Sequence, residues 1–153
     1  MALFLDTFIN RIDRKGRVSV PATFRASLAN QSFQGIVAFA SFKLPALQCA
    51  GLDWMEELNA NLGAVDLFSD SHDDMTATIF AGAKQLPFDG EGRIMLPATL
   101  AQHARIADTA AFVGRGRSFE IWHPEAFELY RVSARQRALD TRRTLPQRPD
   151  GGR

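Results

Sequence analysis

Two short stretches of this chain place an aspartate four positions before an arginine. The first, at residues 13–17, reads Asp-Arg-Lys-Gly-Arg, and the second, at residues 89–93, reads Asp-Gly-Glu-Gly-Arg. A carboxylate so close to a guanidinium can pair with it and orient it. An oriented arginine can bind two acceptors on a guanine edge or grip a phosphate, whereas a lysine acts as a point charge. The stretches therefore predict contact with a polyanion, and the simpler alternative is a charged turn closed by an internal ion pair.

The two stretches belong to a longer repeat. Each is followed by an apolar-x-apolar segment and then by Pro-Ala-Thr, at residues 21–23 and 97–99. Every shared position lies 76 residues from its copy. For a single copy the ordinary charged turn would be the better interpretation, but two copies in the same context indicate a tandem repeat and favour a function.

Within each turn, the residue types predict a division between structure and contact. A glycine supplies the positive φ of a tight turn, while the aspartate accepts turn N–H groups and braces the arginine. The structural set is Asp13, Gly16, Asp89 and Gly92. The contact set is Arg14, Lys15 and Arg17, with Arg93 as a secondary member. Because Gly90 and Glu91 replace the basic pair in the second copy, we expect the first turn to contact nucleic acid more strongly.

Short strands and helices should position these turns. Residues 3–9 predict a strand that leads into the first turn, and residues 18–20 predict the return strand of a hairpin. A helix at residues 21–29 would begin with a proline, whose missing N–H costs nothing at that position. The second copy repeats this plan, with a strand at residues 93–96 and a helix after it.

The rest of the chain alternates between strand and helix patterns. Further strands are predicted at residues 34–42, 44–49, 111–114 and 118–122, and further helices at residues 53–62, 71–80 and 125–139. Asp53 is the expected cap of the first of these helices, and the run from Ser71 to Asp74 is the expected cap of the second. Cys49 is expected in the core, and Trp54, Phe119 and Trp122 in the core or at a subunit interface.

The formal net charge of +1 conceals an uneven distribution. The net charge is +3 over residues 1–30, −6 over residues 31–89, −1 over residues 90–130 and +5 over residues 131–153. Such separation suits local contact with a polyanion better than general attraction to one. Residues 141–153 are expected to form a basic, disordered tail, for which solvated charge is as good an explanation as binding. Arg115 and Arg117 could add phosphate contacts, but we interpret them as solvated loop charges.

The composition disfavours several classes of function. With 46% hydrophobic and 23% charged residues, the chain is typical of a globular protein. It shows no secretory leader and no apolar run near the roughly 18 residues of a membrane span, so we expect a cytoplasmic protein without membrane contact. We expect no metal, no cofactor and no enzymatic activity, because no acid, base and nucleophile converge in the sequence. The lone cysteine has no neighbouring ligand, and the histidines stand far apart, at His72, His103 and His123.

Residues 13–25, the second copy at residues 89–97, and the segment at residues 113–122 are together similar to the MraZ family of AbrB-like swapped-hairpin DNA-binding proteins. The resemblance covers about residues 3–140, with departures from the common family residues at Asp6 and His123. Two motifs at this spacing are a specific signal, whereas the aspartate–arginine pattern alone would be a weak one.

The resemblance implies an α+β fold of two pseudo-symmetric β-rich units with flanking helices, at residues 1–80 and 81–140, ahead of the tail at residues 141–153. It also implies a ring-like homo-oligomer whose first-turn loops contact repeats in double-stranded promoter DNA. Members of the family are nucleoid-associated transcriptional regulators of the division and cell-wall gene cluster that begins with their own gene.

Two hypotheses from different classes follow. The first is a sequence-specific DNA-binding transcriptional regulator that uses the contact set of the first turn. The alternative is an oligomeric protein-interaction scaffold, which uses the acidic centre and the basic tail and never reads DNA. Selection from randomised duplexes separates them, because a scaffold would enrich no repeated motif.

Overall fold

The computed structural model describes residues 2–63 and 66–144, and their mixture of strands and helices confirms the predicted α+β class. The strands are β1 (Thr7–Arg11), β2 (Arg17–Ser19), β3 (Gly35–Ala40), β4 (Ala46–Ala50), β5 (Lys84–Pro87), β6 (Arg93–Met95), β7 (Thr109–Gly114) and β8 (Phe119–Trp122). The helices are α1 (Ala22–Ser27), α2 (Leu52–Leu62), α3 (Asp70–Ile79), α4 (Ala98–His103) and α5 (Pro124–Thr144).

Among the described residues, six strands form an antiparallel sheet in the order β1-β7-β8-β4-β3-β5. At one edge β1 pairs with β7, and at the other edge β5 pairs with β3. Strands from the beginning and the end of the chain are therefore neighbours in the same sheet. The division into units at residues 1–80 and 81–140 stays a prediction, which rests on the sequence repeat. In the large sheet the strands of the two halves interleave.

The two repeated motifs contribute one strand each to a separate two-stranded sheet. β2 pairs with β6 in antiparallel register, with Val18 opposite Ile94, and each of these side chains is 1% exposed. The prediction that β2 returns along β1 as a local hairpin is wrong, since a single bridge between Ile12 and Val18 joins those segments in the described chain. Pairing the copies buries the apolar face of two very short strands at once. This exchange across the motifs is the swapped hairpin that the resemblance implied.

The strand predicted at residues 3–9 is interrupted at Asp6. This residue has a φ of +75°, in the left-handed region that aspartate tolerates better than most residues. Its carboxylate accepts the N–H of Thr7 at 2.7 Å. β1 consequently begins at Thr7, while Phe4, on the other side of the bend, forms a bridge with Gly116.

The main core lies between the large sheet, the β2–β6 pair and the short helices α1 and α4. At its centre the rings of Phe4, Phe24 and Phe119 pack with centroids 4.9 to 5.2 Å apart. Cys49 is buried in the same core, as predicted, and burial raises the pKa of its thiol well above the ordinary value. Because β2 and α1 are both anchored here, the turn that precedes them has a tightly packed base.

Two smaller clusters flank the main core. α2 and α3 pack against Phe39 of β3, with Trp54 partly buried among them. α5 packs against Trp122 of β8 through Phe127 and Tyr130, whose ring centroids lie 5.5 and 4.9 Å from that of the tryptophan. The core position predicted for Trp122 is confirmed, since its side chain is 1% exposed.

Two helices begin with contacts other than those predicted. Asp53 was expected to cap α2, but the side chain of Gln31 accepts its N–H and donates to its carboxylate, both at 3.0 Å. α3 begins earlier than predicted, because Ser69 caps it by accepting the N–H of His72 at 3.1 Å. Both helices were predicted, and both predicted caps were wrong.

α5 is longer than predicted. It continues to Thr144, so the first four residues of the predicted disordered tail, residues 141–144, are helical. An ion pair between Glu128 and Arg131, one turn apart, supports the exposed side of this helix. The rest of the predicted tail, residues 145–153, lies outside the described residues.

Candidate nucleic-acid interface

Hydrogen bonds that converge on Asp13 hold the first turn. Its Oδ1 accepts the backbone N–H groups of Lys15 and Arg17, both at 2.9 Å, and its Oδ2 accepts Nε–H of Arg17 at 2.6 Å. The N–H of Asp13 donates to the carbonyl of Arg17 at 2.9 Å, and the N–H of Gly16 donates to the carbonyl of Asp13 at 3.0 Å. Gly16 has a φ of +85°, which favours glycine. One carboxylate thus shapes the turn and orients its arginine.

The second turn repeats each of these bonds. Oδ1 of Asp89 accepts the N–H groups of Glu91 and Arg93, both at 2.9 Å, and Oδ2 accepts Nε–H of Arg93 at 2.9 Å. The N–H of Asp89 donates to the carbonyl of Arg93 at 2.9 Å. Gly92, with a φ of +76°, donates its N–H to the carbonyl of Asp89 at 3.1 Å. The two aspartates and the two glycines therefore occupy equivalent positions.

These bonds also stabilise the charged forms of the side chains. The backbone N–H of Arg17 is the largest cause that lowers the pKa of Asp13, and the N–H of Arg93 lowers the pKa of Asp89 in the same way. The hydrogen bond to Asp89 raises the pKa of Arg93. Both carboxylates are therefore ionised in the neutral range, where each can hold a guanidinium.

The two turns lie side by side at the β2–β6 pair. The N–H of Leu96 donates to the carbonyl of Gly16 at 2.9 Å, and the N–H of Val20 donates to the carbonyl of Gly92 at 3.1 Å. The repeat equates Val20 with Leu96 and Gly16 with Gly92, so the two bonds join equivalent residues in the two copies. The backbones of the two turns are therefore related by an approximate twofold axis.

The turns differ in which of their cations are neutralised. Arg93 lies within ion-pair distance of three carboxylates, those of Asp89 at 2.9 Å, Glu91 at 3.8 Å and Asp13 at 3.9 Å. By contrast, Arg14 and Lys15 are exposed, and their side chains have no hydrogen-bond or ion-pair partner in the part of the chain that the structure describes. The first turn therefore presents free positive charge to solvent, whereas the second presents Glu91, whose side chain is 76% exposed.

Arg17 is intermediate between these cases. Its Nε–H is bonded to Asp13, while Nη1 and Nη2 have no partner within residues 2–63 and 66–144. Its side chain is 32% exposed. The structure thus brings Arg14, Lys15 and Arg17 onto one turn and places Arg93 on the neighbouring turn.

The other arginines considered from the sequence have structural partners. Arg115 pairs with the buried Glu120 at 2.9 Å, and the same carboxylate oxygen accepts the indole N–H of Trp122 at 2.9 Å. Arg117 pairs with Glu57. The interpretation as a solvated charge is therefore wrong for Arg115, whose partner is buried, whereas Arg117 stays about half exposed in its ion pair.

The histidines are dispersed over the described structure. Nδ1 of His123 accepts the N–H of Glu125 at 3.1 Å, so this histidine caps α5. In the described chain, no group of three or more His, Cys, Asp or Glu side chains could hold a metal ion. No helix among the described elements is long and apolar enough to span a membrane.

Comparisons with known proteins place the chain in a family. Residues 79–146 match the family model described as "MraZ protein, putative antitoxin-like". The chain is 46% identical over 146 residues to the transcriptional regulator MraZ of Rickettsia bellii (strain OSU 85-389), a match that covers 95% of this chain and 97% of that protein. The chain belongs to the MraZ family.

Two further relatives support this conclusion. The MraZ regulator of Rickettsia canadensis is 43% identical over 145 residues, which cover 95% of this chain and 97% of the relative. That of Pelagibacter ubique is 39% identical over 143 residues, which cover 94% and 92%. The resemblance predicted from the motifs is confirmed, and this MraZ-family chain is a transcriptional regulator.

Sequence reasoning missed one cation beside the second turn of this MraZ protein. Arg25 on α1 donates its Nε–H to the carbonyl of Val20 at 3.1 Å. Its guanidinium lies over Gly92, where an added Cβ would stand 2.6 Å from Cζ of the arginine. The residue 76 positions later is Ala101, so the repeat does not mark Arg25. The available signal was this exception to the repeat, directly after the Pro-Ala-Thr-Phe run.

Proposed function

We propose that this MraZ-family regulator binds double-stranded promoter DNA through the first turn, with Arg14, Lys15 and Arg17 as its contact residues. The observation that carries the proposal is a pair of exposed cations, Arg14 and Lys15, without partners among the described residues, on a turn fixed by Asp13. A fixed turn with free charge favours binding to a polyanion, because little conformational entropy is lost when the contact forms.

Arg17 is the candidate for base recognition. Asp13 engages its Nε–H and leaves Nη1 and Nη2 available. These nitrogens can donate to O6 and N7 of a guanine, a contact that generally discriminates against the wrong base by about 1–3 kcal/mol. Arg14 and Lys15 at the tip would hold phosphates, which position the protein without reading sequence. Arg93 is a secondary contact, because three carboxylates share its charge.

A single turn offers few contacts, so useful affinity requires several turns on spaced DNA repeats. In a ring-like homo-oligomer, binding of one turn raises the effective concentration of the next turn at its repeat. Exposed apolar side chains support self-association, since large apolar groups on a surface often lie in interfaces. They include Leu129 and Val132 on α5, which are 75% and 58% exposed, and Phe42, which is 52% exposed.

The proposed target is the division and cell-wall gene cluster that begins with the regulator's own gene, as the family resemblance implies. A protein that binds these promoters would act at the nucleoid. Regulation of its own promoter would make the amount of protein respond to its own DNA binding.

Selection from randomised duplexes tests whether the protein reads DNA. The purified oligomer should enrich a short motif repeated at a regular spacing, and that spacing should report the distance between neighbouring first turns. Enrichment without any repeated motif would favour the protein-interaction scaffold instead.

The selected duplex then tests the contact set. Arg17→Ala should weaken binding by about tenfold or more per repeat, because a bidentate contact is lost. Arg135→Ala is the matched control, since Arg135 is an exposed arginine on α5 and contacts neither turn. Size-exclusion chromatography and circular dichroism establish that each variant is a folded oligomer. An intact Arg17→Ala oligomer that binds as tightly as the wild type would contradict the assignment.

A further inference from the structure

The guanidinium of Arg25 is held in place beside the second turn. Its Nε–H donates to the carbonyl of Val20, two residues before α1 begins. The plane of the group lies over Gly92, close enough that any Cβ at residue 92 would meet Nε and Cζ at 2.6 Å. The missing side chain of Gly92 therefore leaves the space that Arg25 occupies, in addition to allowing the positive φ of the turn.

The charge of Arg25 is not neutralised by a neighbouring carboxylate. Within the described residues, no carboxylate oxygen lies within 4.0 Å of its nitrogens, and Nη1 and Nη2 have no hydrogen-bond acceptor. Asp89 lines the same surface depression as Arg25, but its oxygens already accept two backbone N–H groups and Nε–H of Arg93. Arg25 is thus a half-buried, oriented and unpaired cation.

The surroundings of Arg25 leave room for a ligand. A surface depression of about 420 Å³ lies between α1 and the second turn, with Arg25, Gln34 and Asp89 among its lining residues. Gly90 at the tip has no atom within 4 Å of the position that a Cβ would take, so the approach over the tip is open. The amide nitrogen of Gln34 is already bonded to two backbone carbonyls. Among the lining side chains, Arg25 therefore supplies the free donors of this depression.

We propose that Arg25 binds a DNA phosphate at the second turn, in the place of the tip cations that this turn lacks. The proposal rests on the DNA binding proposed above for the first turn. Phosphate is the expected ligand because the tip residues Gly90 and Glu91 offer no donor side chain to read a base edge, and an arginine fork matches phosphate geometry. Each subunit then positions the duplex with two turns and reads it with one.

Two substitutions separate the charge of Arg25 from its packing. Arg25→Met keeps a stem that can lie over Gly92 and removes the charge, whereas Arg25→Lys keeps the charge. For Arg25→Met we expect operator affinity to fall about tenfold per repeat, as for the loss of one charged hydrogen bond, with an unchanged consensus in selected duplexes. The slope of log Kd against log salt should fall by about 0.9 for each repeat contacted. Arg25→Lys should keep the wild-type slope, and Arg135→Met serves as the matched control.

Neutral phosphates give a second measurement on the wild-type protein. In duplexes that carry one methylphosphonate at a time, replacement of the phosphate that Arg25 contacts should weaken binding of the wild-type protein. This phosphate should lie outside the bases read by the first turn, and its replacement should not weaken binding of Arg25→Met any further. If Arg25→Met does not assemble, Arg25→Gln takes its place in both experiments.

Three results would overturn the proposal. An assembled Arg25→Met oligomer with wild-type affinity and salt slope would exclude a phosphate contact by Arg25 and leave the DNA binding proposed for the first turn intact. Equal losses of operator affinity for Arg25→Met and Arg25→Lys would assign Arg25 to packing on the turn, provided that every methylphosphonate that weakens wild-type binding also weakens binding of Arg25→Met. If the wild-type protein enriches no duplex at all, the proposed function fails together with this role.

Discussion

The first and second turns of this protein share their hydrogen bonds and differ in the charge they present. In the first, Asp13 holds Arg17 beneath two exposed cations that have no partner among the described residues. In the second, Asp89 holds Arg93 by the same bonds, beneath a glycine and an exposed glutamate. The bonds that shape the turn are therefore separable from the groups that would touch a ligand.

This difference explains how one sequence motif can serve two purposes. The aspartate, the glycine and the arginine close each turn and allow β2 and β6 to pair across the approximate twofold axis. That role requires both copies, because each short strand buries its apolar residue against the other. The side chains at the two tip positions make none of the hydrogen bonds that close the turn, and Glu91 adds an ion pair with Arg93 at 3.8 Å, so these positions are free to differ.

The largest effect should come from giving the first turn the tip of the second. The double substitution Arg14→Gly and Lys15→Glu should weaken operator binding by about 100-fold per repeat, because two phosphate contacts are lost and an anion is added. Oligomer size and thermal stability should stay near those of the wild type. The reciprocal change, Gly90→Arg with Glu91→Lys, should not weaken binding. A first-turn variant that retains operator affinity in an intact oligomer would show that the tip charges do not distinguish the two turns in DNA binding.

A smaller and more selective effect is expected from the two aspartates. Asn at either position still accepts N–H groups through Oδ1 but cannot pair with the guanidinium. Asp13→Asn should weaken operator binding by about tenfold, since Arg17 loses its orientation, whereas Asp89→Asn should change it by about twofold or less. Both variants should lose similar thermal stability, because the bonds are equivalent. Equal losses of DNA affinity would mean that the turns share a function as well as a structure.

The local features of the turns could be predicted from the sequence because their bonds span at most four residues. An aspartate that accepts the N–H groups two and four positions later needs no knowledge of the rest of the fold. Most strands followed from apolar periodicity for the same reason, whereas the α+β class was expected from the family resemblance. Repetition of the motif at a fixed offset added the information that two such turns exist.

The features that sequence reasoning missed depend on contacts between distant residues. β2 pairs with a strand 76 residues away, and the N–H of Asp53 is satisfied by Gln31. Arg25 was overlooked because its relation to Gly92 exists only after α1 has packed beside the second turn. No local propensity contains such information, since each contact is decided by how the packed elements meet.

Amide hydrogen exchange of the wild-type oligomer, with and without its selected operator, tests the central claim most directly. Exchange reports local opening and burial residue by residue, and the comparison uses the protein without any substitution. The account predicts that operator DNA slows exchange most at residues 14–17 and less at residues 90–93. Equal slowing at both turns, or slowing confined to the second, would contradict the claim that the two turns share a structure while the first makes the main contact with DNA.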